Sequence, residues 1–74
     1  MPDPVEQVIE LVAKIRPILA GNPPWIVGAV LADLLSIFLA GHREPMREGL
    51  IEEHLKTVRG LIPINEAEIR GRRN

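Results

Sequence analysis

The chain has 74 residues, no cysteine, one tryptophan, one phenylalanine, and a formal net charge of −1 from nine Lys and Arg against ten Asp and Glu. A chain this short makes one domain at most and buries a modest share of its surface, so a staple or a partner commonly completes it. Without cysteine there is no disulfide framework and no thiolate metal site, and the balanced charge leaves no electrostatic footprint for nucleic acid or anionic lipid.

The first element opens at "DPVE". Asp3 is placed to cap, Pro4 suits the first helical position, and Glu6 stands where a capping box wants its carboxylate. Helix 1 is expected over about residues 4–20. Val5, Val8, Ile9, Val12, Ile15 and Leu19 recur at three- and four-residue spacing, while Glu6, Gln7, Glu10 and Lys14 take the other side. Pro17 removes a backbone donor inside this helix, so a kink or early stop is expected near Arg16, with Gly21 ending the unit.

Asn22 followed by Pro23 and Pro24 repeats the logic of a cap and first-turn prolines, and Helix 2 is expected over 23–40 with Gly41 as its stop. Between Pro23 and Gly41 the only charged side chain is Asp33. The stretch falls short of the roughly 20 apolar residues of a membrane span, and a mid-segment Asp costs about 2.5–3.5 kcal/mol on an insertion scale. A soluble central helix covering the apolar faces of its neighbours is the expectation, and a membrane-associated helical protein using segment 23–41 is the alternative. On the helical wheel Val27, Val30, Leu31, Leu34, Leu35 and Phe38 form a bulky face expected to be core. Ile26, Ala29, Asp33, Ser36 and Ala40 form a stripe of mostly small and polar groups, and this stripe is the candidate interface.

After the link "HRE", Pro45 opens Helix 3, expected over 45–62, with Leu50, Ile51, Leu55, Val58, Leu61 and Ile62 on one face and Pro63 closing it. His54 falls angularly between Leu50 and Val58 and is the candidate buried polar residue, with Asp33 as a possible carboxylate partner. Asn65 then caps a short fourth helix over about 66–70, with Glu68 as its box partner, before a basic tail at 70–74.

No strand alternation, hairpin signal or internal repeat interrupts this pattern. The expected fold is all-α: a small antiparallel three-helix bundle with a short C-terminal fourth helix, a single helical domain over 1–74, completed by dimerisation.

Catalytic chemistry has little to work with. Ser36 and Thr57 are the only hydroxyl nucleophiles, no nucleophile elbow or glycine-rich phosphate loop is present, and the glycines are dispersed. Ile51 and Leu39, not Glu, stand three residues before His54 and His42, so the bundle di-metal motif is missing. No enzyme activity, cofactor, metal or nucleic acid is expected, and the "RGRRN" end reads as solvated. The start "MPDPVEQ" carries neither a basic n-region nor an apolar h-region, which points to the cytoplasm. The expected function is a non-enzymatic interaction module that forms a homodimer and can bind a helix of another protein.

Overall fold

A computed structural model describes residues 3–73, with side chains for 3–71. Three helices account for most of them: α1 over Pro4–Leu19, α2 over Pro24–Ala40 and α3 over Glu44–Arg73. Among the described residues there is no strand. The chain divides into two compact units, Met1–Leu34 and Leu35–Asn74, with the division inside α2.

In the first unit, α1 starts as its sequence directs. Asp3 Oδ1 accepts from the Val5 backbone N–H at 3.1 Å, and Pro4 opens the helix where its missing N–H costs nothing. Pro17 lies inside the helix, which runs two residues beyond it instead of stopping near Arg16. Termination falls to Ala20, whose N–H still bonds the Arg16 carbonyl, and to Gly21 at φ +83°. A left-handed residue just past a helix turns the chain away, and glycine adopts that conformation without a Cβ clash.

Asn22 serves the helix behind it. Its Nδ2 donates to the carbonyls of Leu19 at 3.1 Å and Ile18 at 3.4 Å, so it closes the C-terminus of α1 where the sequence reads it as the cap of α2. The reason is supply: the last carbonyls of a helix lack intrahelical donors, and a carboxamide has two N–H groups to offer. Pro23 takes the N-cap position of α2, its carbonyl accepting from Ile26 and Val27 at 3.0 and 3.1 Å. Leu19, Ile26 and Val27, which flank this corner, are the half-buried residues of the unit.

In the second unit, α3 begins at Glu44, one residue before the expected start, and spans 30 residues. It continues past Pro63, and this corrects two expectations: Helix 3 does not close at Ile62, and no separate fourth helix exists among the described residues. Asn65 sits in the helix interior, its Nδ2 donating to the Leu61 carbonyl at 3.2 Å. Propagation outweighs the proline penalty of about 3 kcal/mol because helix-forming residues follow on the far side, where Glu66 and Arg70 also form an i,i+4 ion pair. The basic end belongs to α3 as far as Arg73, and Asn74 lies outside the described residues.

None of the described residues is buried, and large apolar side chains of all three helices are exposed.

Candidate interaction surface

A set of side-chain and backbone hydrogen bonds closes the α2–α3 corner. The last turn of α2 presents four carbonyls at the negative end of its helix dipole. Gly41 N–H bonds Ile37 O at 3.2 Å, the His42 N–H bonds Leu39 O at 3.0 Å, and the His42 ring reaches Phe38 O through Nδ1 at 2.7 Å. A carbonyl only accepts, so Nδ1 carries the proton in this geometry. The imidazole also lies 4.7 Å from the Phe38 ring, tilted by 58°.

Arg47, from the first turns of α3, completes the arrangement. Its single Nε–H is shared between Leu39 O and His42 O, each at 3.1 Å, and Nη2 donates to Ala40 O at 3.3 Å. Sequence reasoning missed Arg47: the general signal is a basic side chain near a helix C-terminus, but Arg47 stands outside α2, within the range expected for Helix 3. Leu35, Leu39, His42, Arg47, Leu50 and Ile51 are half-buried around this corner.

Beyond the corners, the apolar faces are open. Val5, Val8, Ile9, Val12 and Ile15 of α1 are exposed along the row that periodicity placed inward. On α2 the bulky face is not core: Val27 and Leu35 are half-buried, whereas Val30, Leu31, Leu34 and Phe38 are exposed. Exposure of large apolar side chains runs from 37% at Val30 to 75% at Trp25.

The small-residue stripe therefore does not stand apart. In the first unit Ile26 is half-buried, with Ala29 and Asp33 exposed; in the second, Ser36 and Ala40 are exposed. Being the face left over was the reason for singling it out, and the bulky face is left over as well. His54 is exposed, which corrects its reading as buried. It lies a full turn past Leu50, where the partial cover around the corner ends.

Sites for small-molecule chemistry are sparse. A shallow open depression of ≈ 260 Å³ lies along α3 between Glu52, Leu55, Lys56 and Arg59, too open to enclose a ligand. Among the described residues no group of three or more His, Asp or Glu side chains is placed to hold a metal ion. Thr57 spends its hydroxyl on the Glu53 carbonyl at 3.0 Å, a local helix bond. Among the described residues no helix is long and apolar enough to cross a membrane.

Comparison with protein-family models, curated proteins and solved structures returns no match to this chain.

Proposed function

We propose that this chain is a non-enzymatic helical interaction module whose open apolar helix faces close against a second copy of itself, with a helix of another protein as a further partner. The observation that carries the reading is the exposure of large apolar side chains along all three helices, with no residue buried among those described. Large apolar side chains left open along whole helix faces mark an interaction site, since isolated monomers rarely expose so many together. Self-association is the economical way to close it, because a symmetric interface needs only one surface that complements itself.

Light scattering after size exclusion tests this directly. The expected result is a mass of at least twice 8.2 kDa at high micromolar concentration, falling towards the monomer on dilution with loss of helical circular dichroism. A helical monomer at every concentration rejects the reading. A chain that stays monomeric in buffer but floats with lipid vesicles instead supports association of the apolar faces with a membrane surface.

A further inference from the structure

We infer that the open stretch of α3 from Leu55 to Ile69 docks against α3 of a second copy, antiparallel across a two-fold axis. This deepens the self-association reading and rests on it. Ile51, Leu55, Val58, Ile62, Asn65 and Ile69 follow one another at spacings of four, three, four, three and four. That alternation keeps one narrow stripe turned towards a neighbouring helix over five turns. Ile51 is half-buried near the α2–α3 corner, and from Leu55 onward the stripe is exposed.

Charge then selects the orientation. Along one flank of the stripe stand Glu52, Arg59 and Glu66 at seven-residue intervals, and along the other stand His54, Leu61 and Glu68. Parallel helices in register bring opposite flanks together, which sets Arg59 against His54 and Glu66 against Leu61 of the other copy. Neither contact is an opposite-charge pair. Antiparallel helices bring like flanks together, and a two-fold axis between Arg59 and Glu66 sets each arginine against the glutamate of the other copy. Glu66 already holds Arg70 one turn on, so the incoming Arg59 joins an existing charge cluster. Asn65 falls near that axis, and a single polar residue in an apolar stripe disfavours slipped registers.

Charge reversal followed by mixing, at low ionic strength where exposed pairs are least screened, is the test. Arg59→Glu alone and Glu66→Arg alone each create two like-charge pairs across the axis, and each weakens self-association by roughly tenfold. An equimolar mixture of the two variants restores the parent's affinity, because every pair across the axis is then opposite in sign. Both positions are exposed, so neither change disturbs a core. A variant that loses helicity alone and regains it on mixing supports the same alignment. A parent that stays monomeric overturns self-association and this docking face together. If the parent associates but each variant does so as tightly, or if the mixture is no better than its components, the α3 alignment falls and self-association stands.

Discussion

Arg47 shows how much one side chain can hold at a corner. Three carbonyls share its guanidinium, two through Nε and one through Nη2, and a planar fork delivers these bonds at a fixed geometry. Arg47→Ala should cost about 1–2 kcal/mol, from lost charge-assisted bonds at a half-buried position. Arg47→Lys recovers only part of it, because an ammonium keeps the charge but not the fork; thermal melts of the three proteins at one concentration rank them. The two corner glycines divide in the same way. Gly21 has φ +83°, so Gly21→Ala forces a side chain into the left-handed region at a cost of about 1–2 kcal/mol. Gly41 has no positive φ, and an added Cβ would meet nothing closer than the Phe38 carbonyl at 3.5 Å, so Gly41→Ala is expected to leave the melting temperature unchanged or slightly raised. Reading both glycines as stops was correct in position and right in mechanism only for Gly21, since α2 is closed by Arg47 and His42.

At the scale of elements, the helix starts were legible because they are local. Asp3 with Pro4, Pro23 with Pro24, and Pro45 in the first turn of α3 each place a residue without an N–H where none is needed. Pro63 carried the same local signal and led to the wrong boundary, because the outcome depends on whether both flanks keep propagating. Pro63→Ala tests the continuous helix. The substitution restores an N–H that can bond the Arg59 carbonyl, and it should raise both helicity and stability, by as much as about 3 kcal/mol. Truncation after Ile62 checks the extent directly: a continuous α3 loses the helical signal of its residues beyond Ile62 at 222 nm, whereas a helix that ends at Ile62 keeps its signal. Apolar α2 is the converse case, its extent readable to within a residue while its surroundings were not.

For the whole molecule, stability and association are expected to be a single quantity. If the apolar faces are covered only in the dimer, each tenfold rise in chain concentration adds about 1.4 kcal/mol per dimer to apparent stability, and the melting temperature climbs with it. A melting temperature independent of concentration would mean that folding is complete in one chain. The sequence by itself determined the helical class, the order and approximate limits of α1 and α2, and the start of α3, because capping, proline placement and 3.6-residue periodicity act over a few neighbouring residues. It also identified which side of each helix is apolar. Whether those sides find cover was decided only by the tertiary structure, since burial depends on how far each helix runs and where the chain turns. Val30 and Leu34, on the side the wheel marks as apolar, are exposed, and so is His54, four residues past half-buried Leu50. A wheel gives direction around an axis, whereas cover requires another element lying alongside.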